Sequence, residues 1–544
     1  MNRTYILIGV ALAALSSCTR EIADGFNPAK SGRLSAVSST TGFSLKPTNT
    51  SIVARVTGNT QPGEALPNPN HTLQNYGMNE TDMGVMWETQ NHDIMMAFGD
   101  NFGSPDFVDP RQYWNSNALA ISPDANLSDG MTFSSMVMNG SRVKELITSG
   151  QKLGQTDKND PNFETTCIPT AGISVGSRQF INYMSVHLWE RNKNPDDWSL
   201  RFGEIAYSDN YGQNWTKSGV QWSGTTPGDS NFVQAAYLKK DGKVYMFATP
   251  SGRYGNVFLA RVNETDLLNK GVYEYWNGGQ WTNNPASARA VTQGPTGEMS
   301  VLYNTLYNRY FMIYLSVNRR AIVFRDAADV TGEWSEEKIL AIDNNNAVYA
   351  PNFHPWFNNG NDLYFVVSHA HQYGAPANPV MWGVFLYHAT LTSDPGGFNM
   401  VTEGGFEDYP NQALSYNTLW KVSNSVATND THSGAVACKL SNGSMNVFKD
   451  AAVQIVAVKP NTDYVLTGWA KTSLANVTGA YFGVRRPDGV ILDYNPTLSN
   501  TEWRLITKEF NSGNNTTVNV FSGVWGYPGL DLYVDDVMLR PKYQ

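Results

Sequence analysis

Apolar and polar residues alternate along this chain in short, aromatic-rich runs broken by Gly, Asn, Asp and Pro, and long helical periodicity is almost absent. The runs come in pairs at short range. They are Met83–Glu88 with Ile94–Phe98, Ile168–Val175 with Phe180–Val186, and Phe232–Leu238 with Val244–Thr249. Met299–Tyr303 with Tyr310–Ser316, and Tyr349–Trp356 with Leu363–Ser368, complete the series. A third run follows each pair: Ala118–Ser122, Phe202–Ser208, Val257–Val262, Ala321–Arg325 and Gly383–His388. Five strand-turn-strand-strand units predict an all-β fold, a five-bladed β-propeller over residues 51–395. Ile52–Val56 is available as the strand that closes the ring. The competing arrangement is one large β-sandwich of unrelated meanders.

The pattern changes past residue 396. Asn399-Met400-Val401 to Gly405-Phe406-Glu407 opens a new unit, Lys459-Pro460-Asn461-Thr462-Asp463-Tyr464 leads into the run Val465–Ala470, and Tyr533-Val534-Asp535-Asp536-Val537 lies near the end. This order resembles carbohydrate-binding modules with a jelly-roll (β-sandwich) fold, which implies a glycan-holding domain over 396–544; a jelly-roll spacer is the alternative. Trp420, Trp469, Tyr481, Trp525 and Tyr527 are its candidate sugar platforms. In the propeller, Ser208-Asp209-Asn210-Tyr211-Gly212-Gln213-Asn214-Trp215 is close to the Asp-box turn of sialidase-like propellers, and Thr331-Gly332-Glu333-Trp334-Ser335 holds the equivalent place. Both are read as structural turns.

At the start, Arg3 precedes the apolar run Tyr5–Leu15, too short to span a bilayer. It ends in Leu15-Ser16-Ser17-Cys18, which resembles a bacterial lipobox. Residues 1–17 are therefore expected to be a signal peptide and Cys18 the lipidation site. The acyl chains would tether the protein to membrane in the bacterial envelope (outer membrane, periplasmic or surface-facing). An ordinary signal peptide with a chance Cys is the plainer reading. Residues 18–50, rich in Ser, Thr and Gly, read as a linker.

Composition narrows the chemistry. The 544 residues are 12% aromatic but only 16% charged, with net charge −9. No basic run appears, so nucleic acid is not an expected partner. Polarity carried by Asn, Ser, Thr and Gly beside many Trp and Tyr suits neutral sugars. Beyond Cys18 only Cys167 and Cys438 remain, in different predicted domains, which excludes a disulfide framework and a Cys-built metal site.

In a propeller, the starts of first strands and the turns after second strands meet at one end of the central funnel. The units offer Asp82 and Asp100; Glu164, His187, Trp189 and Glu190; Asn231, Gln234 and Arg253; Glu298 and Arg319; and Asn352, His354, His369 and His371. Carboxylates converging with Arg, His and Trp suit glycosidic bond cleavage. That reaction needs one protonated carboxyl to assist the leaving oxygen and one ionised carboxyl to attack or activate water. Duller explanations stand beside each residue: Asp82 and Asp100 could bond backbone N–H groups, Glu164 and Glu298 could be structural, and His354 could be a core histidine. No phosphate loop or His-Glu-x-x-His occurs. No cofactor is expected. His369-Ala370-His371 is thin support for a metal.

Thr81-Asp82-Met83-Gly84-Val85, Phe98-Gly99-Asp100-Asn101-Phe102, Trp114-Asn115-Ser116-Asn117, Ile168-Pro169-Thr170, Gly252-Arg253-Tyr254-Gly255 and Tyr349-Ala350-Pro351-Asn352-Phe353-His354-Pro355 together resemble one family. It is the domain of unknown function 4185, linked to glycoside hydrolase family 183. The resemblance implies an endo-acting hydrolase of α-linked D-arabinofuranose polymers, the arabinans of mycobacterial walls. Asp82 and Asp100 would be the catalytic carboxylates. Glu164, His187, Trp189, Arg253, Glu298, Asn352 and His354 are the expected substrate contacts. Many members have Thr after the second Asp, where this chain has Asn101. The alternatives are a surface lipoprotein that holds glycan without cutting it, and a glycosidase of other specificity.

Overall fold

The structure, a computed structural model, describes residues 43–103, 114–189, 196–343, 346–372, 380–394, 397–407, 420–423, 425–441 and 450–542. The expected signal peptide, Cys18 and Glu190 lie outside the described residues. The fold is all-β. Four antiparallel strands form the first sheet: Met83–Glu88, Ile94–Phe98, Ala118–Ser122 and Ser135–Met136. The second holds Thr166–Val175, Arg178–Leu188, Ser199–Ser208 and Thr216–Ser223. Gln234–Lys240, Lys243–Thr249 and Gly255–Asn263 begin the third, which short pairings join to the fourth: Thr292–Asn304, Arg309–Ser316, Ala321–Ala327 and Lys338–Ala341. The fifth contains Ala347–Phe353, Asp362–Gln372 and Val380–Asp394.

The first strands of these five sheets touch one another in cyclic order, the first sheet's strand meeting those of the second and the fifth. Their sequences match that position. Met83–Glu88 is buried on both faces except at Glu88, as a strand walled by sheets on either side must be. Close approach is built in at Gly172, where a Cβ would lie 1.9 Å from Cε3 of Trp87, whose indole donates to Gln179 Oε1 at 2.9 Å.

The ring is closed from the N-terminal side. Ser44–Arg55 pairs antiparallel with Val380–Asp394 as the fifth sheet's outer strand, from Ser44 opposite Asp394 to Arg55 opposite Phe385. This strand is longer than the expected Ile52–Val56 and begins inside the segment expected to be linker. Its solvent-facing polar residues and Pro47 hide it, as suits an edge strand.

The described strands from Lys421–Val422 to Asp531–Pro541 form two further antiparallel sheets of five strands each, which share one hydrophobic core. Asp463–Thr472 alternates strictly between buried and less buried positions, one face turned to that core. This domain grips the ring through charge. Arg319 lies between Glu337 (3.2 Å) and Glu403, and Arg325 Nη2 is 3.6 Å from Glu337 and 3.4 Å from Thr402 Oγ1. Tyr464 also donates its hydroxyl to Glu333.

Candidate functional site: two carboxyls at one end of the ring

Irregularities gather near one end of the first strands. Register shifts fall between Met83 and Val85, Pro169 and Ala171, Thr296 and Met299, and Tyr349 and Asn352. A bulge adds a residue, bends the strand and re-aims side chains. Met83 (φ 72°) and Ala350 (φ 47°) hold left-handed backbone, and Gly84 (φ 93°) follows Met83. Ser368, from the fifth sheet, bonds both the N–H and the carbonyl of Met83, at 2.9 and 3.3 Å. Backbone strain of this kind is sustained where neighbours over-determine it, commonly at functional sites.

Asp82 sits just before the first of these bulges, and Asp100 follows the second strand of the same sheet. The segments are adjacent: Gly99 N–H donates to the Asp82 carbonyl at 3.1 Å. A Cβ on Gly99 would lie 2.3 Å from Asp82 Oδ1, so only glycine leaves the carboxyl room. That Oδ1 is buried without a hydrogen-bond partner among the described residues, while Oδ2 accepts from the Tyr349 hydroxyl at 3.1 Å. Asp100 Oδ1 accepts twice, from Trp114 Nε1 (3.0 Å) and from the Thr166 hydroxyl (2.5 Å).

Burial pushes both carboxyls up to about 7. For Asp82 the Tyr349 hydroxyl and the Arg253 charge pull down and Glu298 pushes up. For Asp100 the Thr166 and Trp114 bonds pull down, and the charge of Asp82 pushes up. Asp82 is thus an electrostatic neighbour of Asp100. A third carboxyl, Glu80, lies buried two positions before Asp82, raised to about 8 by burial.

Arg253 and Glu298 come together, but with each other: Arg253 Nη2 to Glu298 Oε1 is 2.7 Å and Nε completes a bidentate pair with Oε2 at 3.2 Å. Asp196 takes Arg253 Nη1 at 2.8 Å. The guanidinium lies between the rings of Trp198 (5.1 Å) and Tyr349 (5.2 Å). Trp189 is 37% exposed and stands edge-on to Trp198, 5.6 Å between centroids. His187 donates from Nδ1 to the Phe163 carbonyl at 2.9 Å, which fixes its ring.

Three expected substrate contacts are spent elsewhere. Glu164 is buried and satisfied by Gly150 N–H (3.0 Å), Ser185, Arg201 (3.3 Å) and Lys217 (3.5 Å), so it anchors the second sheet instead of facing a ligand. Asn352 Oδ1 accepts from Met86 N–H at 2.9 Å, stapling the fifth sheet to the first. His354 follows the far end of its strand, fully buried against Trp356 and Phe357, and burial holds it down at about 4. It is a core histidine. His369 is likewise buried, bonded through Nε2 to the Tyr387 hydroxyl at 2.7 Å.

Sequence reasoning missed the roles of Trp114, Thr166, Tyr349, Asp196 and Trp198. Trp114 and Tyr349 stand inside the quoted motifs, whereas Asp196 and Trp198 lie in a loop with no motif. The Ser208–Trp215 segment is a structural turn: Gly212 N–H donates to Ser208 Oγ at 3.0 Å and Trp215 Nε1 to the Gly212 carbonyl at 2.9 Å.

This chain is similar to Notoamide biosynthesis cluster protein J of Aspergillus sp. (strain MF297-2), with 27% identity over 307 residues, 54% of this chain and 80% of the relative. Among solved structures, an exo-β-1,3-galactanase from Phanerochaete chrysosporium aligns at 9% identity over 90% of this chain and 100% of that one, TM-score 0.35. A family 43 arabinoxylan arabinofuranohydrolase from Bacillus subtilis aligns at 12% identity over 91% and 99%, TM-score 0.35. Both structural likenesses are too distant to bear on chemistry. The family described as Domain of unknown function (DUF4185) matches residues 67–378, the stretch that carries both carboxyls, Arg253 and Tyr349 and more than half of the chain. The chain belongs to the DUF4185 family.

Proposed function

We propose that this protein is a glycoside hydrolase whose five sheets are the blades of a β-propeller, with Asp82 and Asp100 as its catalytic carboxyls. The observation that carries the reading is the pair itself. Two acids on adjacent segments share the end of the ring where the first strands are bulged, and each is raised to about 7. Asp100, with two donors on one oxygen, is the better stabilised anion and serves as nucleophile or base. Asp82, with one donor and a sealed second oxygen, serves as the acid. Trp189 offers an exposed face for a sugar ring.

The substrate we assign is D-arabinan, cut internally, on the strength of the ordered motifs around Asp82, Asp100, Arg253 and Tyr349. The C-terminal pair of sheets is read as a jelly roll that keeps the enzyme near polymer, and Cys18 as the lipid tether in the bacterial envelope. Reducing-end release from a panel of arabinans, galactans and sialosides tests the assignment. Cleavage of D-arabinan alone is expected, and binding without product on every glycan removes the hydrolase. Activity requires one proton on the pair. The rate should therefore peak near pH 7 and fall on both sides, because lower pH protonates Asp100 and higher pH strips Asp82. A flat profile from pH 5 to 9, on the order of the window expected for such a pair, would remove the pair from the chemistry.

A further inference from the structure

We propose that Tyr349 is a positioning residue that holds the reacting oxygen of Asp82 and steadies the charge left there when the proton departs. The inference rests on the hydrolase reading and adds to it the group that makes Asp82 a usable acid. Asp82 Oδ1 is sealed against Gly99, so proton exchange with a ligand runs through Oδ2, and Oδ2 is the oxygen that Tyr349 holds at 3.1 Å. During cleavage the Oδ2–H bond breaks as an O–H bond forms on the departing glycosidic oxygen. The bonding pair stays on Oδ2, and the C–O pair leaves with the sugar oxygen. A phenol O–H bonds a carboxylate more strongly than a carboxylic acid, so this contact tightens in the transition state and favours turnover over binding.

The surroundings are built to keep that hydroxyl in place and protonated. Tyr349 opens the bulged stretch of the fifth sheet's first strand and is 8% exposed. Burial holds its phenol well above the ordinary tyrosine range, so it remains a donor across the working pH. Its ring lies 5.2 Å from the Arg253 guanidinium, which Glu298 and Asp196 fix from two sides and Trp198 backs at 5.1 Å. This explains why Arg253 and Glu298 are paired with each other at the heart of the site. They form the mount for Tyr349.

The test is Tyr349→Phe, which keeps the ring and its contact with Arg253, with thermal melting as the check on folding. On D-arabinan, kcat should fall about a hundredfold, the scale of losing one donor to a developing oxyanion, with KM changed less than about twofold, the mark of an interaction made only in the transition state. The basic limb of the pH–rate profile should move upward by about one pH unit, since the lost bond favoured ionised Asp82. A wild-type enzyme that cuts D-arabinan beside a variant with unmoved limb and near-normal kcat overturns the inference and leaves the hydrolase standing. If wild type cuts nothing, the hydrolase falls, and infrared titration of the Asp82 carboxyl decides the contact. An upward shift in Tyr349→Phe sustains Tyr349's hold on Asp82, and no shift overturns it.

Discussion

Asp82→Asn and Asp100→Asn are each expected to cut turnover on D-arabinan by about a thousandfold or more, the scale of losing a general acid or base, without loss of fold. Asn keeps the shape and the acceptor oxygen. Tyr349 can still donate at position 82, and Trp114 and Thr166 at position 100. What is lost is the titratable proton. The same substitutions should stabilise the protein in alkali. Both acids are about 7 in the folded state, against about 3.9 in an unfolded chain. The native state therefore binds more protons between these values, and stability falls as pH rises through that window. Neutral Asn escapes this loss. Each variant should melt like wild type near pH 4 and be more stable by about 1–3 kcal/mol above pH 7, within the range such burial sets. Denaturant titrations at two pH values read this directly. Lower stability for both variants in alkali would mean that the carboxylates are bound as anions and are not held as acids.

Glu403→Ala is expected to destabilise the protein by about 1.5–3 kcal/mol, the scale of losing one hydrogen bond to a buried charged group. The side chain of Arg319 is 3% exposed, and its partners Glu337 and Glu403 belong to the fourth sheet's surroundings and to the C-terminal domain respectively. Glu337 is itself committed to Tyr314 (2.6 Å) and Ser316 (3.1 Å). Losing Glu403 removes one charged partner of the buried Arg319. Chain cut at residue 396 would lose Glu403, Thr402 and Tyr464 together and is expected to fail to accumulate as folded ring. This differs from a module that matters only for insoluble polymer, for which truncation would spare action on short oligosaccharides. Urea midpoints for Glu403→Ala and Glu403→Gln measure the effect, with the smaller loss expected for Gln. A midpoint unchanged in both variants would show a dispensable contact.

How far the sequence carried the account depends on what each residue does to the pattern. First strands were legible because walls on both faces demand mostly apolar runs, as in Met83–Trp87. The adjacency of Asp82 and Asp100 was legible from motifs on one strand pair. Of Ser44–Arg55 only the end from Ile52 was legible, since the preceding outer strand facing solvent has the polarity of a linker. Glu164 and His354 misled for opposite reasons. A buried, bonded carboxylate looks in sequence like a substrate contact, and so does a core histidine between Phe353 and Pro355. Tyr349 reads as one more strand aromatic until the bulge and the Arg253 mount place its hydroxyl on Asp82.

The most direct measurement is a crystal structure of Asp100→Asn with a D-arabinan oligosaccharide. The account predicts a glycosidic oxygen about 2.6–3.2 Å from Asp82 Oδ2, between Tyr349 and the residue at 100, with a sugar ring against Trp189. Oligosaccharide bound only at the other mouth of the ring or on the C-terminal sheets, with Asp82 untouched, would contradict it.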